Sequence, residues 1–262
     1  MSKRHSIITS TGRPVTVILA DSPAQMGQVV AEMVRDDVQM HAGGPCVLGL
    51  PTGNTPVPFY DALLSMYVER EISFRNVITF NLDEYLGLPP YHGNSFRAYM
   101  DRHRFWHVDL PLHQIYFLNG LTRDWKTTCQ VYEIALRSVG GIDLQVLGIG
   151  VNGHIAFNEP GTDSDSRTRL VRLSEHTLRE NARLFLDPKE APQFALTMGI
   201  GTILEARKVI LLASGPKKAN AVYESLLEPV SPRVPASFLQ TMEGECIYVV
   251  DVTASVELPI SS

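Results

Sequence analysis

The sequence predicts one α/β domain built on a largely parallel sheet, and three observations carry that prediction. Short apolar runs rich in β-branched residues alternate with segments whose apolar residues recur at helical spacing. Most of the runs are too continuously apolar for a sheet with one wet face, as expected of strands covered on both sides. No internal repeat, low-complexity tract or long Gly/Ser linker divides the chain, so residues 1–262 read as a single domain.

Strands are expected over 15–20, 46–50, 77–80, 144–149, 209–213 and 247–250. Helices fill the gaps. Over 22–40, Ser22 offers an N-cap and Met26, Val29, Val30, Met33 and Val34 fall on one stripe. Over 56–67 the prolines suit a first helical turn, and Phe59, Leu63, Leu64 and Tyr67 line up behind them. Further helices are expected over 129–139 and 217–227. The stretch 89–124, rich in His, Pro and aromatics, has weak periodicity and reads as short helices and loops over the sheet edge, where it forms part of a lid. The tail after Asp251 is expected to be loosely held or to lie along the surface.

Composition removes several classes of function. With 44% hydrophobic and 19% charged residues the chain is neither disordered nor an acidic tail. A net charge of -5 without a basic tract excludes a sequence-independent grip on nucleic acid. No apolar run approaches the ~20 residues of a membrane span, and no apolar stretch follows Lys3 and Arg4 as in a secretory signal, so a cytoplasmic protein is expected. Cys46, Cys129 and Cys246 are widely spaced and lack a metal or disulfide pattern. His103, His107 and His113 have no acidic or thiol companion at ligand spacing, and Asp163 and Asp165 lack the rest of a calcium loop, so no metal is expected.

Four segments carry chemistry. In CVLGLPTGNTP, residues 46–56, a strand runs into the turn Thr52, Gly53, Asn54, Thr55 ahead of a helix. Backbone N–H groups and hydroxyls of such a turn converge on an anion, although an ordinary strand-to-helix connection explains the segment equally when read alone. No Lys stands where a nucleotide P-loop needs one. GIGVNG, residues 148–153, matches GxGxxG, but Pro160 and Gly161 prevent the long helix that a dinucleotide site requires. NGHIAFNEPG, residues 152–161, places Asn152, His154 and Glu159 at a strand's carboxyl end, where a carboxylate can fix an imidazole's tautomer for proton transfer. FNLDEY, residues 80–85, places Asp83 and Glu84 at another strand end; Asp83 reads either as a general base or as a helix N-cap. Two isolated cations, Arg183 and Lys218, read as a phosphate clamp or as solvated charges.

Together, LGLPTGNTP, TFNLDEYLGL, SFRAYM, LGIGVNGHIAFNEPG, SRTR, ALTMGIGTIL and GPKKA resemble the glucosamine-6-phosphate deaminase family, also called glucosamine-6-phosphate isomerases, from about residue 46 to 220. The resemblance implies a three-layer domain of modified Rossmann type, its mostly parallel sheet covered by helices on both faces. It implies conversion of D-glucosamine 6-phosphate to D-fructose 6-phosphate and ammonium with no cofactor. By the same resemblance, Asp83 moves a proton between C2 and C1, and His154 opens the sugar ring with Glu159 and Asn152 behind it. Thr52, Gly53, Asn54 and Thr55 with Arg183 and Lys218 hold the phosphate. The partner implied is an amino-sugar phosphate, with a homo-oligomer left open. Regulated members carry a basic pair after SRTR; here Arg169 is kept but Val171 replaces the lysine, so an unregulated enzyme is expected. Galactosamine-6-phosphate deamination, 6-phosphogluconolactonase activity and a sugar-phosphate sensor are the alternatives.

Overall fold

The computed structural model describes residues 2–41, 44–103, 107–183, 185 and 187–260. An eight-stranded sheet runs in the order β1-β2-β11-β10-β7-β3-β4-β6. Its strands are β1 (Lys3–Ile8), β2 (Pro14–Ala20), β3 (Cys46–Leu50), β4 (Val77–Asn81), β6 (Ile115–Tyr116), β7 (Leu144–Gly148), β10 (Lys208–Ala213) and β11 (Glu245–Asp251). Every neighbouring pair is parallel except β1 with β2.

The continuous apolar runs are explained by two cores, one on each face. Along β10, Val209, Leu211 and Ala213 enter one core while Ile210 and Leu212 enter the other, and β11 divides Tyr248 and Val250 from Ile247 and Val249 in the same way. This is the period of two that a strand imposes, with both faces dry. Helices α1 (Pro23–Met40) and α2 (Val57–Val68) cover one face through Met26, Val30, Val34, Phe59 and Leu63. Helices α4 (Trp125–Ser138) and α7 (Ala219–Leu227) cover the other through Tyr132, Leu136, Val222 and Leu226. The three layers are those expected. The Ser22 hydroxyl caps α1 by accepting from the Gln25 N–H at 3.2 Å.

A second sheet, β5 (Asp83–Tyr85), β9 (Phe194–Thr197) and β8 (Arg169–Arg172), is antiparallel throughout. Asp83 is therefore no helix N-cap: it opens β5 opposite Thr197. The chain leaves the large sheet at Asn81 and joins the small one two residues later. The remaining helices are α3 (Phe96–His103), α5 (Glu175–Ala182) and α6 (Ile200–Leu204). The stretch 89–124 contains α3, a 3-10 turn over Leu112–Gln114 and edge strand β6, as its weak periodicity suggested.

The tail departs from expectation. Ala254 and Leu258 are buried in the core beneath α7, and the Asp251 carboxylate accepts from the Ala254 N–H (2.8 Å) and Thr253 Oγ1 (2.7 Å), so the segment is pinned rather than loose. No described helix is long and apolar enough to cross a membrane.

Candidate active site

Strand order locates the site before any side chain is considered. From β3 the chain moves outward to β4 and β6, then returns to β7 beside β3 and proceeds the other way to β10. The carboxyl ends of β3 and β7 thus diverge into a crevice, the position at which open α/β sheets bind ligands. A cleft of about 490 Å³ opens there, lined by Thr52–Thr55 after β3, Asp83 on β5, Gly148–Gly150 and His154 after β7, and Lys218 after β10. Asp83 and His154 share this cleft, as the assigned chemistry demands. A larger groove of about 720 Å³ lies near the amino end of β4, where Arg75 pairs with Asp109 (3.2 Å) and Glu71 with Arg35 outside the groove (3.3 Å).

The turn Thr52–Thr55 is shaped by Gly53, whose φ of 101° a side chain would strain; Asn54 is not among the positive-φ residues, so a side chain is tolerated there. Thr52 and Thr55 make no side-chain hydrogen bond among the described residues, and their hydroxyls border the cleft. Lys218 ends the 3-10 turn Pro216–Lys218, and its Nζ donates to the Ile149 carbonyl at 2.6 Å. An ammonium has three donors, so two remain for an anion. Burial lowers the Lys218 pKa.

Asp83 is 7% exposed, and no described group hydrogen-bonds to its carboxylate. Burial, with a lesser contribution from the charge of Glu84, pushes its pKa up to about 8. That is the condition for a carboxylate that both takes and returns a proton near neutrality.

The histidine is organised by a relay. Asn152 Nδ2 donates to Glu159 Oε2 at 2.8 Å, which leaves Asn152 Oδ1 as the acceptor for His154 Nδ1 at 2.7 Å. His154 consequently carries its proton on Nδ1 and keeps Nε2 as the basic nitrogen. Glu159 lies 3.8 Å from His154 Nδ1, so it acts through the amide rather than directly. Gly150 is required by close approach: a Cβ there would sit 2.1 Å from His154 Nδ1.

The chain from residue 20 to 248 matches the family model described as glucosamine-6-phosphate isomerases/6-phosphogluconolactonase. The protein belongs to this family. It is 45% identical over 226 residues to glucosamine-6-phosphate deaminase 2 of Bacillus subtilis (strain 168), covering 86% of this chain and 90% of that one. It is 40% identical over 243 residues to glucosamine-6-phosphate deaminase of Thermoanaerobacter sp. (strain X514), covering 93% and 95%. A solved structure of a monomeric glucosamine-6-phosphate deaminase superposes with a TM-score of 0.86 at 38% identity, covering 91% of this chain and 98% of that one. A 6-phosphogluconolactonase from Trypanosoma cruzi superposes at 0.76 with 19% identity, covering 98% and 100%, which is a likeness of fold alone.

Against the residues assigned by resemblance to the family, the structure gathers Thr52–Thr55, Asp83, His154 and Lys218 around the cleft, with Asn152 and Glu159 behind the imidazole. Arg183 is the exception: it is exposed, follows α5, and does not line the cleft. The lining also includes Tyr85, Ser95, Phe96, Tyr99, Arg102 and Thr177, none singled out from the sequence. The SFRAYM motif was the available signal for three of them, but its one charged side chain, Arg97, lies off the cleft. Arg169 donates to Asn158 Oδ1 (2.9 Å) and Thr162 Oγ1 (3.4 Å), so it braces the loop that carries Glu159.

Among the described residues, one group brings metal-ligating atoms together: His41, Cys46 and Asp143, within 4.8 Å of one another at the amino ends of β3 and β7. Burial and Asp143 push the Cys46 thiol to about 12, while Val47 N–H and Arg207 occupy the Asp143 oxygens. The side chain of His103 lies outside the described residues.

Proposed function

We propose that this protein converts D-glucosamine 6-phosphate and water to D-fructose 6-phosphate and ammonium. The observation that carries this reading is a single cleft bordered by an anion turn with Lys218, a high-pKa carboxylate and a tautomer-fixed imidazole. The phosphate docks on Thr52–Thr55 and Lys218, which anchors the sugar at the end remote from the reaction. His154 Nε2 takes the proton of the C1 hydroxyl and returns it to the ring oxygen, opening the ring. Asp83 then removes the C2 proton and delivers it to C1, while the C1 carbonyl oxygen gains a proton and the amino nitrogen gives one up, leaving a hydroxyl at C1 and an imine at C2. Water adds to that carbon, and the C–N bond breaks as ammonia departs with a proton. Preorganised donors at the phosphate and the oxygens stabilise the charges that develop. Lactone hydrolysis would leave Asp83 without a task, which is why the shared fold does not favour that reading.

The direct test is pure protein with glucosamine 6-phosphate, ammonium and fructose 6-phosphate being followed together. Equimolar release with a hyperbolic dependence on substrate is expected, and neither product appearing would overturn the assignment. Galactosamine 6-phosphate in a parallel assay reads the epimer preference. Lys218→Ala removes one charged hydrogen bond and should raise KM for the phosphorylated sugar by a factor corresponding to ~1.5 to 3 kcal/mol. If Lys218→Ala left KM untouched, or if unphosphorylated glucosamine reacted as well, the clamp would be misplaced.

A further inference from the structure

The carboxylate that transfers the proton and the turn that holds the anion stand on separate strand ends, yet one short helix touches both. Helix α3 begins directly over Glu84, the neighbour of Asp83 on β5. Glu84 is 2% exposed, and its carboxylate is saturated: Oε1 accepts from the N–H groups of Tyr85 (2.9 Å) and Phe96 (3.0 Å), and Oε2 from Ser95 Oγ (2.8 Å) and the Arg97 N–H (2.9 Å). Burial raises the Glu84 pKa, and the backbone donors that reach both oxygens oppose that shift by stabilising the carboxylate. Three of the four bonds secure the first turn of α3, where orphan N–H groups and the positive end of the helix dipole favour a negative charge. Farther along the same helix, the Tyr99 hydroxyl donates to the Gly53 carbonyl at 2.8 Å, at the left-handed residue of the anion turn.

We propose that Glu84 is a positioning residue: acting through α3 and Tyr99, it fixes the reach between the anion turn and Asp83, so that a sugar anchored by its phosphate presents C2 to the carboxylate. This rests on the reaction assigned above and names what keeps its two halves in register. Side chains on successive strand residues point to opposite faces, so Asp83 can face the cleft while Glu84 lies under the helix. Reach is the quantity that matters, since a misplacement of about 1 Å can cost ~100-fold in rate. The charge of Glu84 also helps Asp83 retain its proton. Besides Glu84, the titratable groups around Asp83 are Tyr85, Tyr99, Arg102, His154 and Lys218 lining the cleft and Tyr132 beneath it, and each keeps its own charge in Glu84→Gln.

The test compares Glu84→Gln, Tyr99→Phe and the double variant with the parent enzyme. Glu84→Gln sets an NH2 group against donors; we expect kcat/KM to fall by about 100-fold, KM to rise, and the acid limb of the pH profile to move to lower pH because a like charge beside Asp83 is gone. A residue with only a structural role would lower Tm and leave KM and that limb in place. Tyr99→Phe keeps the fold and removes one neutral hydrogen bond, so KM should rise about fivefold with a smaller change in kcat. Because both act through one helix, the double variant should lose less than the product of the single losses. Calorimetric binding of glucitol 6-phosphate, which cannot react, should weaken in both single variants. Unchanged binding and KM in both, or strictly multiplicative losses, would overturn the proposal. A parent enzyme that released no ammonium would instead overturn the reaction, with glucitol 6-phosphate binding still reporting on Glu84 and Tyr99.

Discussion

Asp83→Asn lowers kcat for ammonium release by about 10²- to 10⁴-fold, the loss expected when a positioned proton-transfer group is replaced by one that cannot ionise. Exchange of the C2 proton with solvent should stop, while glucosamine 6-phosphate still binds, because the residues proposed to hold the phosphate lie elsewhere in the cleft. The parent's own pH dependence follows from the same group. A base must be ionised, and burial holds Asp83 protonated up to about 8, so kcat/KM should rise with pH through that value. Stability should move the opposite way. The folded-state pKa is raised above the ordinary 3.8, so the stability contributed by the bound proton is complete below about that pH and is lost as pH rises through about 8. An amide has no proton to lose. The Tm advantage of Asp83→Asn should therefore widen between pH 6 and pH 9; a constant difference, or C2 exchange at the parental rate, would remove Asp83 from its assigned role.

His154→Gln should cost about 10²-fold or more in kcat with glucosamine 6-phosphate, since an amide can hydrogen-bond to Asn152 but cannot carry a proton to the ring oxygen. The relay makes this a loss of chemistry rather than of shape. Asn152 already accepts from Nδ1 at 2.7 Å, and the glutamine's own N–H can donate to the same oxygen. Circular dichroism and Tm should match the parent. Retention of more than about a tenth of the parental kcat would assign ring opening to another group or to solvent.

The parts of the fold legible in the sequence are those whose residues answer to one requirement. Strands β3, β7, β10 and β11 are dry on both faces, so their whole length is apolar, and α1 and α4 show their buried stripes openly. Strand β1 was not legible: KRHSII is an edge strand with exposed and half-buried positions, so its composition is set mostly by water. Strands β8 and β9, four residues each, are too short for a period to declare itself, and with them the sheet that seats Asp83 was hidden. The tail's burial depends on isolated residues, Ala254 and Leu258, set among polar ones and held by a carboxylate that pattern does not reveal. Candidate residues at strand ends were legible because they follow directly from legible strands. Arg183 was read as an isolated cation and given a phosphate role by the resemblance, and the wall formed by α3 is absent from that reading because its cleft side is assembled across 46 residues of chain, from Gly53 to Tyr99.

The change of sheet at Leu82 has a consequence for how such a protein can diversify. In the proposed reaction the anion turn and the ring-opening imidazole belong to loops of the eight-stranded framework, whereas the carboxylate that works on C2 is mounted on a three-stranded annex hydrogen-bonded within itself. Alterations to the annex that spare Glu84 and its bonds to α3 can redirect what happens at the sugar's reactive carbons while leaving the grip on its far terminus as it was. The two properties can thus be inherited separately, even though they meet in one crevice.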